Sequence, residues 1–234
     1  MRSILPVALS ALLCATASAK LDVGLTDHFL SWLNANGYSS YNFDRSELVG
    51  GAYGGKSSSS DVITHQPVVF IHGNSDIAVG QPKMSTDWAS GFTTSIEYFL
   101  SKGYTKGELY ITTWGDGNKM HANSRTHDKE TLQYLRAFFE AVLEYTGAEK
   151  IDVITHSMGV TLGRRILKGG DLTTKDGKWN IGDSLASKVD SFVGIAGGNW
   201  GLKSCQYSSM IATCNKVDGY FPGTRSSADL STYL

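Results

Sequence analysis

The sequence predicts an α/β fold: a doubly wound, mostly parallel sheet with helices on both faces. Two observations carry this. Short continuous apolar runs, such as Val68-Val69-Phe70-Ile71, have the composition of strands buried on both sides. Segments with apolar residues at helical spacing alternate with them, which calls for right-handed crossovers rather than hairpins.

In chain order, Thr26 caps a short helix with Leu25, Phe29, Leu30 and Leu33 at helical spacing, ended by Asn36-Gly37. Gly50 to Asp61 is almost all Gly and Ser and reads as loop. The strand Pro67 to Ile71 ends at His72-Gly73 and is followed by a helix bearing Trp88, Phe92, Ile96 and Phe99, stopped by Gly103. Leu109 to Trp114 is the second strand. The next helix is capped by Asp128 and aligns Leu132, Leu135, Phe139, Val142 and Leu143 on one face. Ile151 to Ile154 is the third strand, leading into a helix from about Met158 to Lys168. Phe192 to Ala196 is the fourth, and no continuous apolar run follows it. The last strand is therefore expected to be left as a sheet edge with unpaired backbone groups.

The chain has 234 residues with 41% hydrophobic and 18% charged, enough for one sizeable core. A formal net charge of −1 leaves no electrostatic footprint for nucleic acid or for an anionic membrane. The first nineteen residues read as an export signal: Arg2, an apolar stretch from Ile4 to Ala15, then Ala17-Ser18-Ala19 as a cleavage site. The mature chain is expected to begin at Lys20, so residues 20–234 form the folded domain. The signal's apolar stretch is too short to span a bilayer, no later run is long enough, and a secreted product is expected. Cys14 leaves with the signal. Cys205 and Cys214 remain in an oxidising compartment and are expected to pair, two free thiols being the alternative.

Gly50 to Ser57 satisfies the phosphate-loop pattern G-x-x-x-x-G-K-[ST], but that chemistry needs a buried strand before the loop and a helix after it. Neither is predicted here, so the match is set aside. Thr155-His156-Ser157-Met158-Gly159 sits between a strand and a helix, where a serine hydroxyl is pushed above the sheet beside a helix N-terminus. This is a nucleophile elbow with Ser157 as the candidate nucleophile. Its first position holds Thr155 instead of the usual glycine. An ordinary serine capping a helix is the plainer alternative. His72-Gly73-Asn74 ends the first strand at the same sheet edge, so the backbone N–H groups of Asn74 and Met158 are candidate donors to a tetrahedral oxyanion. His72 itself reads as a loop-orienting histidine rather than a base.

Taken together, PVVFIHGN, the TTWG segment from Thr112 to Gly115, VITHSMGVTLGRR, and GGNWG with the cysteine pair resemble the secreted class 2 lipases of nematodes, in the α/β-hydrolase superfamily. The resemblance covers the chain from about Ser46 onward. It implies an α/β-hydrolase fold, a Ser-Asp-His triad hydrolysing carboxylic esters such as acylglycerols, and the roles given above for Ser157, Asn74 and Met158. It implies a lipid or small ester substrate and no cofactor. No spacing of metal ligands is present, and transient contact with a lipid interface is the one membrane association such a chain would make.

The triad cannot be completed in the expected order. Histidines stand at 28, 65, 72, 121, 127 and 156, so none follows Ser157, and the triad acid is unknown. Asp218 and Asp229 follow the serine but lie in loop-like surroundings. His121 and His127 could reach the site only by an unusual loop path. The reading is an ester hydrolase lacking its carboxyl-terminal strands, base and acid. The alternative is a catalytically inactive short hydrolase fold that binds lipid or protein.

Overall fold

The computed structural model describes residues 21–80, 89–208 and 210–222; the export signal with Cys14, and Trp88 and Asp229, lie outside the described residues. In chain order the elements are β1 (Gly24–Leu25), α1 (Asp27–Ala35), β2 (Ala52–Gly54), β3 (Val68–Ile71), α2 (Thr93–Ser101), β4 (Leu109–Thr112), α3 (Lys129–Thr146), β5 (Ile151–His156), α4 (Met158–Lys168), β6 (Asp171–Thr174), β7 (Gly177–Asn180) and β8 (Val189–Ile195). Six strands form one sheet in the order β1-β2-β4-β3-β5-β8, parallel throughout except for the β2–β4 pair. β6 and β7 make a separate antiparallel hairpin.

Strand pleating sorts the apolar runs onto two faces. Val69 and Ile71 of β3, Tyr110 of β4, and Ile151 and Val153 of β5 pack with α1, α3 and α4. Val68 and Phe70, with Leu109 and Ile111, face the other way onto Phe92 and Ile96 of the α2 segment. β3 is thus buried on both faces, each of its side chains contributing roughly 1.5–3 kcal/mol of burial. α3 begins where Asp128 accepts the Thr131 N–H (2.8 Å) and ends where Gly147 turns left-handed, with φ 65°. α1 starts at Thr26, whose hydroxyl accepts from the Phe29 N–H.

Two sequence expectations change. The glycine-serine stretch contains strand β2. Its glycines serve close approach: a Cβ on Gly54 would lie 2.7 Å from the Leu109 carbonyl, and one on Gly55 2.7 Å from the Phe29 side chain. The β6–β7 hairpin was not expected, because Asp171 to Asn180 is polar and carries no apolar alternation. No helix follows Lys56 and Ser57, whose backbone instead turns through the Ser57 N–H bond to Asp61, so the phosphate-loop match has no helix N-terminus behind it. Among the described residues β8 is the sheet edge, and from Asp190 to Ile195 its residues are exposed.

Candidate active site

Ser157 joins β5 to α4 with φ 54° and ψ −121°, a backbone conformation that a non-glycine residue adopts only when its surroundings hold it there. The clamps are visible. The Ser157 N–H donates to the Ile195 carbonyl of β8 (2.8 Å), and the Ser157 carbonyl accepts from the Val160 N–H (3.1 Å). Gly159 lies so close to β3 that a Cβ there would stand 2.5 Å from the Ile71 carbonyl and 2.6 Å from that of His72. Gly73 meets the elbow from the other side, where a Cβ would lie 3.0 Å from Cβ of Ser157.

Thr155 brings a branched side chain to a turn where glycine is usual. Gly163 on α4 clears the space: a Cβ there would meet the Thr155 methyl at 3.3 Å. The Thr155 hydroxyl donates to the Val193 carbonyl (3.1 Å), so the residue also ties the elbow strand to β8.

The loop after β3 is braced around a buried imidazole. His72 Nδ1 donates to the Gly73 carbonyl (2.8 Å), Nε2 accepts from the Trp114 N–H (3.1 Å), and Trp114 Nε1 donates to the His72 carbonyl (3.0 Å). The two rings stack at 5.4 Å. Burial pushes the His72 imidazole down to about 4, although its bond to Gly73 works the other way. His72 is therefore neutral with both nitrogens engaged, which suits it to holding the loop. Asn74 follows; its side chain donates to the Ala122 carbonyl (3.0 Å) and accepts from the Ser75 hydroxyl (2.9 Å). Among the described residues, the backbone N–H groups of Asn74 and Met158 and the Ser157 hydroxyl have no hydrogen-bond partner. Two N–H groups and a hydroxyl are thus left available where β3 and β5 end.

No histidine among the described residues bonds the Ser157 hydroxyl. His28 engages Tyr145, and His65 engages Glu108 ahead of β3. His127 is sealed beneath the first turns of α4. Its Nδ1 donates to the Asp218 carbonyl (2.9 Å), Nε2 bonds the Thr161 hydroxyl (2.6 Å), and Thr161 bonds the Tyr220 hydroxyl (2.6 Å). Burial, with Arg165 nearby, lowers His127 to about 3. Asp218 is a brace too, accepting from Asn215 Nδ2 and the Lys175 N–H.

Sequence reasoning missed the Asp116 cluster. Asp116 bonds His121 Nδ1 (2.5 Å) and Arg125. Burial opposes ionisation there, but these bonds and that of the Asn118 N–H hold its carboxyl down at about 2. The turn signal Asp116-Gly117-Asn118 marks the place in the sequence, without indicating the partners.

A family model described as Lipase (class 2) matches residues 65–232, a span containing β3, the elbow and β8. The chain belongs to the class 2 lipase family. Its sheet is accordingly that of an α/β-hydrolase, and the activity that goes with the family is lipase-type hydrolysis of lipid esters. Cys205 and Cys214 form a disulfide with Cα atoms 4.8 Å apart, and no helix among the described residues is long and apolar enough to cross a membrane.

Proposed function

We propose that this class 2 lipase is a secreted serine ester hydrolase of acylglycerols or related esters, with Ser157 as its nucleophile. The observation that carries the reading is the left-handed φ of Ser157 at a strand-to-helix turn, between two unpaired backbone N–H groups. In this chemistry the Ser157 oxygen attacks the ester carbonyl, the Asn74 and Met158 N–H groups take the developing oxyanion, and the alcohol leaves. Water then releases the fatty acid from the acyl-enzyme. An imidazole must accept the Ser157 proton, and removing such a base typically leaves only about 10³–10⁴ over the uncatalysed rate. No histidine follows Ser157 in the sequence. His72 and His127 have both nitrogens engaged elsewhere. The export signal at 1–19 and the disulfide support secretion.

The unpartnered Ser157 hydroxyl also favours a second reading, in which the chain binds lipid or protein without turnover. Active-site labelling by a fluorophosphonate, read by intact mass, separates the two. The hydrolase reading expects one adduct, at Ser157, absent in Ser157→Ala. Because no imidazole addresses the hydroxyl, added imidazole should accelerate labelling. A folded protein that stays unlabelled with imidazole present supports the binding-only reading.

A further inference from the structure

A polar cavity of about 450 Å³ lies where β4 ends and α3 begins, and Ser157, Asn74 and Met158 are not among its lining residues. That volume is usual for a small-molecule site, and the carboxyl end of a parallel strand is where such folds hold ligands. Three separate stretches meet there, within residues 41–45, 114–115 and 125–134. The walls are fixed. Arg45 Nη1 donates to the carbonyls of Thr113 (2.5 Å) and Gly115 (2.7 Å), and Tyr41 stacks on Phe43 with ring centroids 5.1 Å apart. The Tyr134 hydroxyl bonds that of Thr112 (2.6 Å), and the two oxygens of Asp128 accept from the Thr131 N–H and hydroxyl (2.8 and 3.1 Å). Asn42 and Arg45 hold left-handed backbone, with φ 48° and 49°. For arginine such strain persists only where the surroundings impose it, and it gathers at ligand clamps.

The lining narrows the ligand by exclusion. Among the described residues no aliphatic side chain lines the cavity, which removes an acyl chain. A free anion is unsuited too: each guanidinium already has a carboxylate, Glu47 on Arg45 and Asp116 on Arg125, and Asp128 and Glu130 add two more in the lining. A cation would meet the two guanidiniums. What remains is hydrogen-bonding capacity of both kinds, guanidinium donors and carboxylate acceptors, beside the aromatic side chains of Tyr41, Trp114 and Tyr134. Arg125 adds a buried Nε with no hydrogen-bond partner among the described residues, and a buried donor of that kind calls for an acceptor.

We propose that this cavity binds a neutral saccharide, either free or as the head group of a glycolipid. Sugar hydroxyls donate to Asp128 and Glu130 and accept from Arg45 and Arg125, while the apolar C–H face of the ring lies against Tyr41 or Tyr134. The charged groups have N–H donors or lone pairs left over after their structural bonds. Because those bonds hold them in place before a ligand arrives, little ordering entropy opposes binding. Trp114 forms one wall, and its two N–H groups brace His72, so the cavity adjoins the loop carrying Asn74 without sharing its residues. The cavity carries this reading by itself; Ser157 need not be a nucleophile for it.

Titration calorimetry on the full mature chain tests it with glucose, galactose, mannose, maltose and lactose, and with monogalactosyl diacylglycerol against plain diacylglycerol in neutral micelles. Saturable binding of a free sugar assigns a soluble glycan. Binding confined to the galactolipid, and absent for diacylglycerol, assigns a lipid head group. Arg125→Ala should weaken binding about tenfold or more, since it removes charge-assisted hydrogen bonds. Arg125 also holds Asp116, so Glu130→Ala, at an exposed side chain, is the second variant; it should weaken binding several-fold and leave the melting temperature nearly unchanged. Ser157→Ala should bind as wild type does. If a saccharide is bound while Ser157 resists labelling, the cavity stands and the hydrolase reading falls. The saccharide site is overturned if neither sugars nor galactolipid bind, if either folded cavity variant binds undiminished, if Ser157→Ala abolishes binding, or if inorganic phosphate displaces the sugar.

Discussion

β3 and β8 flank the strand that carries Ser157, both run parallel to it, and both are apolar in sequence, yet β3 is buried along its length while β8 is exposed from Asp190 onward. The apolar run specifies a strand; neighbours decide whether it is covered. β3 has β4 beside it, α2 on one face and α3 with α4 on the other. Among the described residues β8 pairs with β5 only, reinforced by the Thr155 hydroxyl and the Ser157 N–H, and touches α4 near Val160 and Gly163. The candidate site inherits this difference: the loop carrying Asn74 rests on packed structure, while β8, on the other side of Ser157, is an edge among the described residues.

The contrast is broken most directly by truncating the two strands. Phe70→Ala on β3 should cost about 3–5 kcal/mol, and Phe192→Ala on β8 under about 1 kcal/mol, measured by chemical denaturation. Equal losses would mean β8 is covered in solution. Next, Gly159→Ala forces a methyl against the Ile71 and His72 carbonyls and should cost about 1–3 kcal/mol, with slower Ser157 labelling. Gly194→Ala on β8 meets side chains alone, Val160 at 3.0 Å and Phe192 at 3.5 Å, and should cost less.

Acid should act through the buried imidazoles. His72 and His127 have folded values of about 4 and about 3 against 6.5 unfolded, so between those limits the unfolded chain binds the protons. Their stabilisation is present above pH 6.5 and drains as pH falls, on the order of 1 kcal/mol per pH unit for each. Melting temperature should therefore drop from pH 7 to pH 5, and a flat profile would contradict the burial of both rings. The smallest effect belongs to Thr155→Val, which removes one bond to β8 and should cost about 1 kcal/mol.

Much of this was legible in the sequence, because apolar runs and helical spacing report directly on burial. The Asp128 cap, the strand before Ser157 and the helix after it stand where spacing placed them. β2 was hidden because glycine serves equally for turns and for close approach, and only the neighbours Leu109 and Phe29 tell which. The same holds for Thr155, whose branched side chain at the elbow is accommodated by Gly163 of α4, a neighbour that only the fold brings opposite it. The cavity at the start of α3 was not legible either. Its lining comes from three separated stretches of sequence, and their meeting is a property of the fold.

Ser157 is proposed as a nucleophile flanked by the backbone N–H groups of Asn74 and Met158, with no histidine among the described residues bonded to its hydroxyl. Fluorophosphonate labelling, with and without imidazole, addresses it most directly. A single adduct is expected at Ser157, formed slowly alone, faster with imidazole, and absent in Ser157→Ala. Fast labelling independent of imidazole would show that a histidine of this chain already serves as base, and no adduct on the folded protein under either condition would contradict the claim outright.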